Sequence, residues 1–194
     1  MTAIIQFCRA NKRSIKMTQK AKRHGLVLLN TGDGKGKTTA SLGVAFRALG
    51  WGWKILIVQF FKGQWKTGEE RVIQEYALPI DYKAFGGGCT WEETDSEDIN
   101  DKCHKAWSFT KDHILNADYD LIIADEINNA MAYGFIDTED VINTLQQRKK
   151  WIHVILTGRN APEKVKKYAD LVSVIDAYKH PFEKGIFAQK GVEF

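Results

Sequence analysis

The densest chemical signal in the chain is the run Thr31-Gly32-Asp33-Gly34-Lys35-Gly36-Lys37-Thr38-Thr39. Glycines at this spacing let successive backbone N–H groups converge on one point, and a helix beginning there adds partial positive charge, so the run is suited to an anion. Lys37 adds a mobile ammonium for the outer oxygens of a polyphosphate, and Thr38 brings a hydroxyl toward a magnesium ion. The spacing follows the phosphate-loop pattern G-x-x-x-x-G-K-S/T except at its first position, where Thr31 stands in place of glycine. Gly32 and Gly34 are there to supply the conformational freedom lost at that position. A glycine-rich turn with accidental lysines is the competing explanation, and the apolar strand before the run and the helical pattern after it argue against that.

A second cluster follows from the run Asp120-Leu121-Ile122-Ile123-Ala124-Asp125-Glu126. An apolar strand that ends in two carboxylates is the arrangement by which phosphate-loop proteins hold Mg2+ (or Mn2+) near the phosphates, and strand ends are where such sheets bind ligands. Asp125 and Glu126 also suit the first turn of a following helix, where acids complement the dipole. Spacing does not decide which of the two touches a metal. Arg47, on the helix leaving the loop, and Arg159, after a strand in Thr157-Gly158-Arg159, are the cations placed to neutralise a triphosphate. The five histidines show no paired metal spacing, and only His180, between Lys179 and Pro181, stands in a loop suited to face a ligand.

These side chains need a framework, and the sequence describes one. From Gly25 onward, β-rich runs alternate with helical stretches, the pattern of an α/β fold with a mostly parallel central sheet and helices on both faces. Strands are expected at Leu26 to Asn30, Ile55 to Gln59, Tyr82 to Phe85, Leu121 to Asp125, His153 to Thr157 and Leu171 to Ile175, mainly as continuous apolar runs. Lys37 to Leu49 reads as a helix closed by Gly50, Ser96 to Asn116 as a second, and Asp137 as the cap of another. The stretches Phe61 to Glu69 and Gly86 to Asp95 read as irregular.

With 194 residues, 44% hydrophobic and 27% charged, the chain has the size and composition of one soluble domain. No apolar run has the length of a membrane span. Three cysteines, Cys8, Cys89 and Cys103, lack metal-ligand spacing and are expected as free thiols in a reducing, cytoplasmic compartment. Much of the net charge of +4 comes from Arg9, Lys12, Arg13, Lys16, Lys20, Lys22 and Arg23, which meet no acid before Asp33. No aromatic residues interleave with them to stack bases, so residues 1–24 read as a solvated basic segment ahead of a single domain over 25–194, and nucleic acid is not the expected partner.

A phosphate loop and an acidic strand end define nucleotide binding and leave the reaction open. Beyond them the chain resembles the ATP:corrinoid adenosyltransferases of the P-loop type, which have a recombinase-like α/β fold. The resemblance runs through Thr31 to Thr39, Val58-Gln59-Phe60-Phe61-Lys62-Gly63, Cys89-Thr90-Trp91, Asp125-Glu126, Ile155-Leu156-Thr157-Gly158-Arg159, Lys179-His180 and Ala188-Gln189-Lys190-Gly191-Val192-Glu193-Phe194. It implies that Co(I) of a corrinoid attacks the ribose 5′ carbon of ATP and that triphosphate leaves as a unit. It further implies that Gly32, Asp33, Gly34, Lys35, Gly36, Lys37, Thr38 and Thr39 cradle the triphosphate with help from Arg47 and Arg159. Thr38 and Glu126 would hold the metal with Asp125 nearby, and Lys37, Thr38 and Glu126 would carry the catalytic burden. Trp91 matches an aromatic residue that excludes the lower axial ligand of cobalt. Its usual phenylalanine partner is replaced here by Cys89, with Phe85 across three glycines, so Phe85 and Cys89 join Trp91 as corrinoid candidates. The same resemblance implies a homodimer in which residues 1–25 cover the partner's site, and a reductant for Co(II), a flavoprotein being one candidate. An ATPase or kinase, a nucleic-acid-binding module and a carrier that hands its corrinoid to another enzyme are the alternatives.

Overall fold

Five-residue apolar runs are too short to shield themselves, and in this chain they do so by lying side by side. The structure, a computed structural model, describes residues 24–61, 66–86, 96–116 and 119–193. Its strands are β1 (Val27–Thr31), β2 (Ile55–Gln59), β3 (Ile80–Ala84), β4 (Leu121–Asp125), β5 (His153–Thr157) and β6 (Leu171–Val174). They form one parallel sheet in the order β3-β2-β4-β5-β1-β6. Every residue of β2 and β4 is buried, as continuous apolar runs in central parallel strands require.

The strands are joined by α1 (Lys37–Gly50), α2 (Gly68–Glu75), α3 (Ser96–Asn116), α4 (Ile127–Ala132), α5 (Thr138–Gln147) and α6 (Glu163–Tyr168). Alternating strand residues sort into two apolar layers. Val27, Leu29, Leu56, Val58, Ile122, Ala124, Val154 and Leu156 pack with Trp107 and Ile114 of α3, Leu145 of α5 and Val165 of α6. On the opposite face Ile55, Ile57, Leu121, Ile123 and Ile155 meet Ala45 and Ala48 of α1 and Ile73 of α2. The sheet is therefore covered on both sides, and its strands all deliver their carboxyl ends to one rim.

Several expected boundaries move, among them the end of β6, expected at Ile175 and found at Val174, and the stretch expected as irregular to Glu69, which α2 enters at Gly68. The expected β3 over Tyr82 to Phe85 lies instead at Ile80–Ala84, because an edge strand of alternating exposure carries no continuous apolar run to mark it. The first strand is shifted one residue, ending at the buried Thr31 instead of Asn30. The first long helix runs through Gly50, and the left-handed turn that closes it falls at Gly52, with φ of 71° and its N–H bonded to Leu49 O. Asp137 caps α5 as expected, its carboxylate accepting the Glu139 N–H at 3.1 Å. No described helix is long and apolar enough to cross a membrane.

Candidate functional site

The turn from β1 into α1 is shaped by its glycines. Gly32 and Gly36 hold φ of 101° and 115°, a region costly for any other residue. A Cβ on Gly32 would sit 2.5 Å from Ile175 O, and one on Gly34 would sit 2.7 Å from the Asp176 carbonyl carbon, so the loop is pressed against the chain leaving β6. That contact is also bonded: Gly34 N–H donates to Ile175 O at 2.7 Å, and Ile175 N–H donates to Thr31 O at 2.8 Å. Thr31 takes the place of the pattern's first glycine because it is still strand: it closes β1, is buried, and its hydroxyl accepts the Ala161 N–H at 3.3 Å.

Lys37 begins α1 and folds back over the loop, its Nζ donating to Gly32 O and Gly34 O at 2.7 Å each. Burial lowers its pKa, and the nearby Arg159 lowers it further. An anion at the loop would reverse both effects, and the ammonium has carbonyl partners that it can exchange for phosphate oxygens. Lys35 forms an ion pair with Glu193 near the end of the chain. Asp33 and Thr39 are exposed on either side of the loop.

Opposite the loop, the end of β4 supplies the acids. Asp125 is buried, and its Oδ1 accepts the hydroxyls of Thr38 at 2.9 Å and Thr157 at 2.6 Å, while Oδ2 accepts the Gln59 amide at 3.2 Å. Burial raises its pKa and these hydrogen bonds pull it back. Glu126 adopts left-handed φ of 66°, unusual for a residue with a side chain, and is held there by its N–H donating to Thr157 Oγ1 at 2.8 Å. Burial and the adjacent Asp125 push its pKa to about 7, against the opposing pull of Lys37 and Arg159.

Arg159 is oriented through its backbone. Gly158 takes φ of 127°, Asn128 Nδ2 donates to Gly158 O at 3.2 Å, and Asn129 Oδ1 accepts the Arg159 N–H at 2.6 Å. The fold thus gathers the loop from Gly32 to Thr38, Asp125, Glu126 and Arg159 at one rim. It does not gather Arg47, which is exposed in the last turn of α1, about 15 Å of helix rise from Lys37. Phe85 packs against Phe109 of α3, with ring centroids 5.4 Å apart, and Lys83 Nζ lies 5.8 Å from its ring. Trp91 and Cys89 lie outside the described residues, as do Cys8, Lys62 and Gly63. Cys103 is buried in α3. His180 caps a short 3-10 turn at Pro181–Lys184, its Nδ1 accepting the Phe182 N–H at 3.2 Å, so the histidine expected to face a ligand is engaged on that nitrogen by its own turn.

Thr157, Asn128 and Asn129 also serve the site without having been singled out for a role in the sequence. A signal for Thr157 was available, since a polar residue that closes an otherwise apolar strand stands at the sheet rim where ligands bind. The oxygen donors that face the loop, the Thr38 hydroxyl and the Glu126 carboxylate with Asp125 behind them, match a hard divalent cation. Among the described residues no three His, Cys, Asp or Glu side chains converge as a complete metal cage. Such a donor set needs phosphate oxygens and water to fill the remaining positions, as Mg2+ sites in nucleotide enzymes do.

The geometry has known counterparts. A family model described as "ATP:corrinoid adenosyltransferase BtuR/CobO/CobP" matches residues 23–194. A corrinoid adenosyltransferase of Sinorhizobium sp is 41% identical over 180 residues, which are 92% of this chain and 84% of that protein. One of Pseudomonas aeruginosa is 37% identical over 92% of this chain and 88% of its own length, and one of Escherichia coli is 32% identical over 94% and 92%. Among solved structures, the flagellar accessory protein FlaH from Methanocaldococcus jannaschii shares the fold at a TM-score of 0.52, with 15% identity over 78% of this chain and 71% of that one. With a family match over nearly the whole chain and a phosphate loop facing an acidic strand end, the chain belongs to the ATP:corrinoid adenosyltransferase family.

Proposed function

We propose that this enzyme transfers the 5′-deoxyadenosyl group of ATP to Co(I) of a corrinoid and releases inorganic triphosphate, a step in adenosylcobalamin formation. The observation that carries the reading is the family match over residues 23–194, which includes the phosphate loop facing Asp125 and Glu126. In the reaction the cobalt electron pair forms the Co–C5′ bond, and the C5′–O bond breaks with its electrons going to the departing triphosphate. The nucleophile comes from the corrinoid, so the protein needs no general base. Its work is to align C5′ with cobalt and to stabilise charge on the leaving group.

The loop N–H groups from Gly32 to Thr39 and the Lys37 ammonium would receive the triphosphate, and Arg159 would add charge from the other side. Arg47, at the far end of α1, would contribute less than Arg159. Thr38 and Glu126 would hold Mg2+, which when bound neutralises phosphate charge, while Asp125 fixes the Thr38 hydroxyl. Phe85, with Trp91 and Cys89 beyond the described residues, would meet the corrinoid. The exposed Leu171, Val174, Phe187 and Val192, on the β6 flank and the C-terminal stretch, support a homodimer, which sedimentation would detect. A flavoprotein reductant and a cytoplasmic setting complete the reading.

One observation favours a second reading: a carboxyl group with a pKa of about 7, as at Glu126, is suited to activate water for cleavage between phosphates. The products separate the two. Incubated anaerobically with ATP, Mg2+ and chemically reduced Co(I) corrinoid, the protein should form a light-sensitive Co–C bond and stoichiometric triphosphate, and Lys37→Ala should lose both. ADP and phosphate without adenosylcorrinoid would make it an ATPase.

A further inference from the structure

Asp125 is held from the sheet side by a chain of hydrogen bonds that the triphosphate reading does not use. Tyr82, in edge strand β3, donates its hydroxyl to Gln59 Oε1 at 2.6 Å, and Gln59, the last residue of β2, donates its amide to Asp125 Oδ2 at 3.2 Å. Strand register explains the reach. Gln59 stands opposite Asp125, and Tyr82 stands opposite Ile57, two residues before Gln59 on the same face, so its long ring can carry the hydroxyl forward to the amide. Tyr82, Gln59, Asp125 and Thr157 thus come from the four neighbouring strands β3, β2, β4 and β5 and form one row beneath the loop.

The direction of every bond in the row is determined. A carboxylate only accepts, so Gln59 must present its NH2 to Asp125 and its carbonyl to Tyr82, and the Tyr82 hydroxyl must donate. Without that hydroxyl the amide would be free to turn its carbonyl toward the carboxylate. At the other end, Thr38 has one hydroxyl proton, and it goes to Asp125 Oδ1. The hydroxyl lone pairs then point away from Asp125, and only in that orientation do they serve a cation on the phosphates. The angle of the Asp125 carboxylate therefore sets the aim of Thr38, and the partner on Oδ2 sets that angle.

We propose that Tyr82 and Gln59 are positioning residues for the cation subsite, acting through Asp125 on the Thr38 hydroxyl. The inference rests on the reading of the rim as a metal–triphosphate site and does not depend on adenosyl transfer. Outer partners of metal ligands change metal affinity by about 10- to 100-fold, and a neutral hydroxyl three hydrogen bonds from Thr38 belongs at the lower end of that range.

The test uses the full chain with Mn2+ as probe. Free Mn2+ is followed by electron paramagnetic resonance at saturating ATP, and ATP affinity is measured separately in chelator. Tyr82→Phe keeps the ring and its packing, and Gln59→Leu keeps the bulk of the amide. Each should weaken Mn2+ binding about tenfold while leaving metal-free ATP binding unchanged. The double variant should be no worse than Gln59→Leu, because Tyr82 reaches Asp125 through Gln59. Unchanged Mn2+ affinity in Tyr82→Phe, an equal loss of metal-free ATP binding, or additive effects in the double variant would each overturn the proposal. Failure of the unaltered protein to bind Mn2+ with ATP would overturn it too, while the cobalt–carbon assay would still decide the transfer reading.

Discussion

At the scale of the residue, Glu126 carries a carboxyl group that the fold makes reluctant to ionise. Its carboxyl titrates near pH 7 in the fold, against an ordinary value of 4.5, because it is buried beside Asp125. Between those two pH values the folded chain keeps a proton that the unfolded chain releases. Its contribution to stability is therefore fully present below pH 4.5 and is lost as pH rises through 7. Urea midpoints of the ligand-free protein should fall across that window, and Glu126→Gln should reduce the fall. Asp125, whose pKa is raised by burial, adds a slope of the same sign. Saturating Mg2+ with ATP should remove the dependence, since a cation then takes the place of the proton. A slope unchanged by Glu126→Gln would mean that the buried charge is compensated elsewhere.

At the scale of the element, the cover on the α3 side is fastened by one carboxylate. Asp140, near the start of α5, accepts the Trp107 indole N–H at 2.7 Å and the Lys111 ammonium at 2.6 Å, both from α3. Lys111 first and Trp107 second hold its pKa below the usual carboxylate range. Asp140→Ala should cost about 1–2 kcal/mol, chiefly through the stranded indole, without changing ATP affinity, which equilibrium unfolding and nucleotide titration would check together. Legibility also divides at this scale. β2, β4 and β5 could be read residue for residue because the interiors of central parallel strands are continuous apolar runs, and α3 could be read from its acidic first turn. The edge strand β3 and short helices such as α6 carry too little pattern to mark themselves. The loop and acid pair were legible as local motifs, whereas the supporting roles of Gln59, Tyr82 and Asn129 depend on which strands become neighbours. No local window of sequence contains that information.

At the scale of the whole molecule, the two apolar layers share one sheet, so residues 25–194 should unfold in a single transition by circular dichroism and by tryptophan fluorescence. Removing residues 1–24 should leave that transition in place and lower turnover, which tests the basic segment as a cover rather than as part of the core. Unchanged turnover would argue against the covering role, and steeply salt-dependent binding of single-stranded DNA by the full chain would revive the nucleic-acid alternative.

The strand order has a further consequence, for the time at which the site comes into being. β1 leads into the phosphate loop and is the first made of the described strands, yet its neighbours in the sheet are β5 and β6, the last two of them. A growing chain emerges from the ribosome with that loop long before the backbone of Ile175 exists to hold it. Nascent chains should therefore be unable to capture ATP until the segment through Ile175 has emerged, and β1 must wait with both edges unpaired. That interval is when the protein is most exposed to mispairing and most in need of a chaperone.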